Sequence, residues 1–169
     1  MSVASENPLV HSLAERVDDQ LDRLVHLAEI VPEGWQARVP PLPTETFPDH
    51  RTVGELLVHL TEALDGLCGT LYNVDPTRFE SLLELRQDGA REHSSRFRLY
   101  RVALAQAFES LEDEDLAVTV RSPFRADGET VLARVLVNLE HVVNHKHELF
   151  IALKLLGLNL GTADLYRFD

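Results

Sequence analysis

The sequence predicts an all-α fold, a four-helix bundle, on three observations. Four separated stretches repeat apolar residues at spacings of three and four, the period of a helix buried along one side. The 169 residues suit one domain with a single core, and a 44% hydrophobic content is enough to fill it. The one strand-like run, LAVTV, has no evident partner and is expected to be extended loop.

The first helix is expected from about Pro8 to Ile30. Val10, Leu13, Val17, Leu21, Leu24 and Leu27 form its apolar stripe. Asn7 is placed to cap it and Pro8 fits the first turn, while Pro32 and Gly34 stop it. A long Pro-rich connection follows to Arg51, holding Pro32, Pro40, Pro41, Pro43 and Pro48. Proline fixes φ and lacks an amide donor, so this stretch is extended and irregular. Trp35 and Phe47 are expected to pin it to the bundle.

The second helix begins after Thr52, because Thr52 followed by Glu55 is a capping-box pattern. Val53, Leu56, Leu57, Leu60, Leu64, Leu67 and Leu71 make its stripe, and His59 falls on the shoulder beside Ala63, Gly66 and Thr70. Asn73 to Pro76 reads as a turn and Phe79 to Leu85 as a short helical piece. The third long helix is expected from about Ala90 to Leu111, with Phe97, Tyr100, Leu104, Phe108 and Leu111 inward. The acidic run Glu112 to Asp115 and LAVTVRSPFRADG form the next connection.

The last helix is expected from about Thr130 to Leu156, ended by Gly157. Val135, Leu139, Val142, Leu149 and Leu153 form its apolar centre. A second stripe adjoins it: Arg134, Asn138, His141, His145, Glu148 and Ala152. Lys146 falls within the apolar arc, and its stem is expected to snorkel outward. Leu165, Tyr166 and Phe168 of the tail are expected to fold back onto the helices.

Composition excludes several function classes. A net charge of −12 argues against nucleic acid or an anionic membrane as partner, since both need clustered Lys and Arg. The one basic cluster, REHSSRFRLYR, is interrupted and is expected to be a solvated helix face. A lone cysteine, Cys68, cannot form a disulfide within the chain, which suits a cytoplasmic setting; its apolar surroundings mark it as a buried, inert thiol. MSVASENPLV lacks the basic start and apolar run of a signal peptide, and no uncharged stretch reaches about 18 residues.

His141 and His145 are the strongest chemical signal. Residues four apart share a helix face with Cβ atoms about 5–6 Å apart, close enough for two imidazoles to hold one metal ion. His59, at the edge of another apolar stripe, supplies a third ligand once the stripes meet in the core. The plain alternative is two surface histidines and a hydrogen-bonded core histidine. His147 lies on a different face of the helix from His141 and points elsewhere. His11, His26 and His93 are expected to be solvated; His50 lies in the Pro-rich connection. There are no paired Glu-x-x-His motifs, no His-Glu-x-x-His and no Gly-rich phosphate loop.

Two segments resemble a known family. RTVGELLVHLTEAL is similar to the second helix of the DinB-like (damage-inducible) four-helix-bundle metalloproteins, in which a histidine follows a Trp-Ser/Thr-Val-like helix start. ETVLARVLVNLEHVVNHKHELFIALKLLG resembles that family's last helix, with its His-x-x-His-His-Arg-Gly-Gln-Leu pattern. This chain has Arg51 in place of the Trp, Asn144 in place of the middle His and His147-Glu148 in place of Gly-Gln. The resemblance implies an up-down-down-up helix order, His59, His141 and His145 as ligands of a divalent ion such as zinc or nickel, and frequent homodimers. It also implies, for some members, S-transfer from a low-molecular-weight thiol or related hydrolysis of a small-molecule substrate.

Glu62 and Glu148 are the candidate catalytic carboxylates. Each is placed to orient a ligand histidine or accept a proton, against the plainer reading of an exposed surface residue. The alternatives to an enzyme are a non-catalytic, stress-associated metal-binding bundle and a metal-free dimerisation module. An open position beside the metal favours an enzyme, and a closed four-ligand site favours the structural metal-binding bundle.

Overall fold

The computed structural model describes residues 7–41, 51–87 and 92–166. Among these residues six α-helices run in the order α1 (Pro8–Glu29), α2 (Val53–Tyr72), α3 (Ser81–Gln87), α4 (His93–Glu109), α5 (Val131–Leu155) and α6 (Thr162–Tyr166). The four long ones are those expected from apolar spacing. α1 packs along α4 and α2 along α5, with further contacts of α1 on α5 and α2 on α4. All the predicted stripe residues of α1 and α2 are buried, and Phe97, Tyr100, Leu104 and Phe108 of α4 face the same core. Full burial of each Leu or Phe contributes roughly 1.5–3 kcal/mol, so these stripes decide the packing. The short α3 begins two residues later than the helical piece read from sequence.

The start of α2 is fixed twice over. The Thr52 amide donates to Glu55 Oε2 at 2.7 Å, and the Glu55 amide donates to Thr52 Oγ1 at 3.1 Å. The connection then lays its carbonyls on the same helix end: Val53 N–H donates to Arg38 O (3.0 Å) and Gly54 N–H to Gln36 O (2.8 Å). These amides have no partner inside the helix, so the loop is held where the backbone demands acceptors. Trp35 packs on the core, with the Arg38 guanidinium 4.6 Å over its ring. Phe47 and His50 lie outside the described residues, as does Phe168.

Gly157 closes α5 at φ +100°, with Leu158 N–H donating to Leu153 O and Gly157 N–H to Lys154 O, each 3.0 Å. That is a Schellman closure, which needs the left-handed residue glycine supplies. α6 then returns to α1, burying Leu165 and leaving Tyr166 partly exposed.

Several local expectations are corrected. LAVTV is not loop throughout: Thr119–Val120 (β1) pairs antiparallel with Glu129–Thr130 (β2). The partner is the pair of residues that leads into α5, and strands this short leave no periodic signal. Asn7 makes no side-chain cap on α1. Instead the Asp113 carboxylate receives the Val10 amide at 2.9 Å, while Asn7 Oδ1 accepts from the Asp113 amide at 3.2 Å. A carboxylate suits the positive end of a helix dipole better than a neutral amide does. Lys146 does not reach solvent; it is 1% exposed and its Nζ donates to Gln20 Oε1 at 2.7 Å. The arginines of the basic cluster are not simply solvated, since Arg98 pairs with Glu29 and Arg101 with Asp18 and Asp22 of α1. Cys68 is buried as expected.

Candidate metal centre

Where α2 and α5 pack, their polar shoulders face each other. Asn138 of α5 sets the approach: its Nδ2 donates to Thr70 Oγ1 at 3.0 Å, and Thr70 in turn donates to Gly66 O at 2.8 Å. One turn further along α5 is His141, and one turn beyond that is His145. His59 meets both from α2. Its Nε2 lies 3.0 Å from His141 Nε2 and 3.1 Å from His145 Nε2. The three ring centroids are 4.3–4.9 Å apart. The histidines read from sequence therefore converge on one point, and among the described residues they form the one cluster of His, Cys, Asp or Glu spaced to hold an ion.

The outer ring nitrogens explain what the inner ones can do. His59 Nδ1 lies 3.0 Å from Glu62 Oε2, and His145 Nδ1 lies 2.6 Å from Glu148 Oε2. A carboxylate accepts only, so each Nδ1 carries the proton and each Nε2 presents a lone pair inward. Lone pairs about 3 Å apart repel one another unless a proton or a cation lies among them. Imidazole nitrogens that share one metal ion at about 2.0–2.1 Å have this mutual spacing. The donor set thus fits a divalent ion of the zinc or nickel kind. Burial, then the charges of His145, His59 and Arg51, holds the His141 pKa below its ordinary value, with Glu62 opposing. A neutral imidazole is the form that binds metal.

Glu62 and Glu148 each pair with a histidine of the cluster, with side chains 66% and 43% exposed. Arg51 stands 3.6 Å from Glu148 Oε2, adding a cation at the rim. A cavity of about 480 Å³ opens beside His59 and Glu62, walled by Val58, Arg51, Gln36 and His93. His93 was expected to be solvated and Arg51 stood only as a departure from a pattern; neither carries a spacing signal, because the cavity joins residues from α2, α4 and the connection.

The other histidines separate cleanly. His147 Nδ1 donates to Val143 O at 2.8 Å, and its ring lies 6.2 Å from Tyr166, away from the cluster. His11 is exposed, as expected. His26 and His93 are not solvated as expected. His26 is half-buried with Nε2 3.4 Å from Asp164 Oδ1. His93 has a buried Nδ1 with no hydrogen-bond partner among the described residues, and burial, then Arg96, lowers its pKa.

Among the described residues, no helix is long and apolar enough to cross a membrane. No curated protein matches the chain. A DinB-like protein from Bacillus subtilis has a similar fold, with a TM-score of 0.68 and 16% identity over 88% of this chain and 94% of that one. The family model of the DinB superfamily matches residues 16–149, a stretch that holds His59, His141 and His145. The chain belongs to the DinB superfamily.

Proposed function

We propose that His59, His141 and His145 bind one divalent metal ion, zinc or nickel, and that the centre is catalytic. The observation that carries this is the convergence of three Nε2 lone pairs, two of them fixed by carboxylates on the opposite ring nitrogen. Three neutral imidazoles leave room for a further ligand. When bound, the ion supplies Lewis acidity that makes a water or a small thiol nucleophilic near neutral pH.

The chain's own residues supply the rest. Glu62 and Glu148 hold the Nδ1 protons, which fixes tautomer and ring orientation and raises the basicity of Nε2. Glu62 also lines the cavity beside His59, so it is the carboxylate placed to take a proton from a bound nucleophile. The partial exposure of the histidines and the adjoining cavity favour an enzyme over a closed structural site. The reaction class favoured is thiol-dependent S-transfer or metal-dependent hydrolysis of a small molecule.

The reading extends to the rest of the molecule. Residues 1–169 form one domain with the four long helices in up-down-down-up order, assembling as a homodimer in the cytoplasm. Neither nucleic acid nor membrane is a partner, since the net charge is −12. A panel of low-molecular-weight thiols with electrophilic acceptors, run on zinc- and nickel-loaded protein and on His141→Ala, tests the activity. Turnover that depends on His141 supports it. Turnover unchanged in the variant places the chemistry elsewhere.

A further inference from the structure

We infer that the cavity beside His59 is a pocket for a singly charged organic carboxylate, whose carboxylate is received by the Arg51 guanidinium while its apolar body lies against Val58. The inference rests on the reading of the neighbouring histidines as the reactive centre, and it names the class of molecule that centre serves.

Arg51 is the cation of this cavity. Its one ion pair among the described residues is the 3.6 Å approach to Glu148, too long for a hydrogen bond. A guanidinium presents five donors in a planar fork that matches a carboxylate, so most of its capacity is uncommitted among the described residues. The backbone fixes where its side chain begins, because Arg51 directly precedes the capped first turn of α2 and the Gln36 carbonyl is bonded to the Gly54 amide. The cavity is an open cleft of about 480 Å³, a volume within the range of small-ligand sites. Its wall is more apolar than polar, and Val58 is 49% exposed along it.

The surrounding charge selects the kind of anion. Glu55 and Glu62 line the same cavity and Glu148 stands behind Arg51. One guanidinium among three carboxylates leaves room for at most one further negative charge on it, because the carboxylates repel a dianion such as a phosphate monoester about twice as strongly as a monoanion.

The probe is hexanoate, titrated calorimetrically into zinc-loaded and zinc-free protein, with acetate, hexylamine and hexyl phosphate alongside. Saturable hexanoate binding at least about tenfold tighter than acetate, with no binding of hexylamine and weaker binding of hexyl phosphate, is the expected result. Arg51→Gln should weaken hexanoate about tenfold or more at unchanged zinc content. Val58→Trp, which fills the cavity at an exposed position, should abolish binding without unfolding the protein. Absence of saturable hexanoate binding in both forms, equal binding in Arg51→Gln, or tighter binding of hexyl phosphate would overturn the inference. Zinc content is read separately, so a protein that takes up no zinc yet binds hexanoate through Arg51 sinks the metal reading and leaves the pocket standing.

Discussion

Asn138 lies against the bare backbone of Gly66: a Cβ at residue 66 would come within 2.8 Å of Asn138 Oδ1. This contact, one turn from His141, lets α5 approach α2 closely enough for their histidines to meet. Gly→Ala inside a helix ordinarily gains about 0.8–1.0 kcal/mol of propensity. Gly69, three residues on, has open space around it and should show that gain. Gly66→Ala should instead lose about 1–3 kcal/mol through overpacking. Urea midpoints of the two variants give the comparison, and a gain in both would mean that the close approach does not constrain the helices.

The carboxylates behind the ring nitrogens should matter unequally. Glu148 is nearer its histidine and less exposed than Glu62. Glu148→Ala should weaken zinc binding about 10–100-fold, the usual range for a partner that orients a ligand. Glu62→Ala should weaken it less. Competition against a chromophoric chelator measures both, and the reverse ranking would contradict the geometry.

Zinc affinity should fall as pH drops below about 6.5, since protons then compete for the imidazoles. In zinc-free protein the sign follows from His141. Its pKa is lowered in the folded state by burial and by the neighbouring histidines. As pH falls below the unfolded value the unfolded chain binds the proton first, so stability declines toward lower pH. The fall in urea midpoint between pH 7.5 and 5.5 should therefore shrink in His141→Ala; an undiminished fall would show that His141 does not titrate as its surroundings require.

Lys146 is an ammonium among core side chains, with its pKa pushed down to about 8 by burial and then by Arg23. Lys146→Met keeps the volume and removes the charge, and should stabilise the protein by about 1–3 kcal/mol at pH 7. A thermal melt of the variant tests this, and a lower midpoint would show that the Gln20 hydrogen bond outweighs the desolvation.

The long helices and the three histidines were legible because both signals are periodic. Leucine stripes on α1 and α2 state which side is buried, and His141 with His145 state a shared face. Asp113 capping α1, the β1–β2 pair and the Arg51 cavity were not legible, since each joins segments far apart in sequence through one or two residues. Lys146 was misread for a related reason: its partner Gln20 sits on α1, and no pattern within α5 announces it.

The central claim is that His59, His141 and His145 form one metal centre, and zinc stoichiometry by mass spectrometry tests it most directly. Wild-type protein loaded with zinc and freed of excess should retain one ion per chain. His145→Ala should lose most of it, and His147→Ala, altered on the α6 side of the same helix, should keep it. Retention by His145→Ala, or equal loss from both variants, would contradict the account.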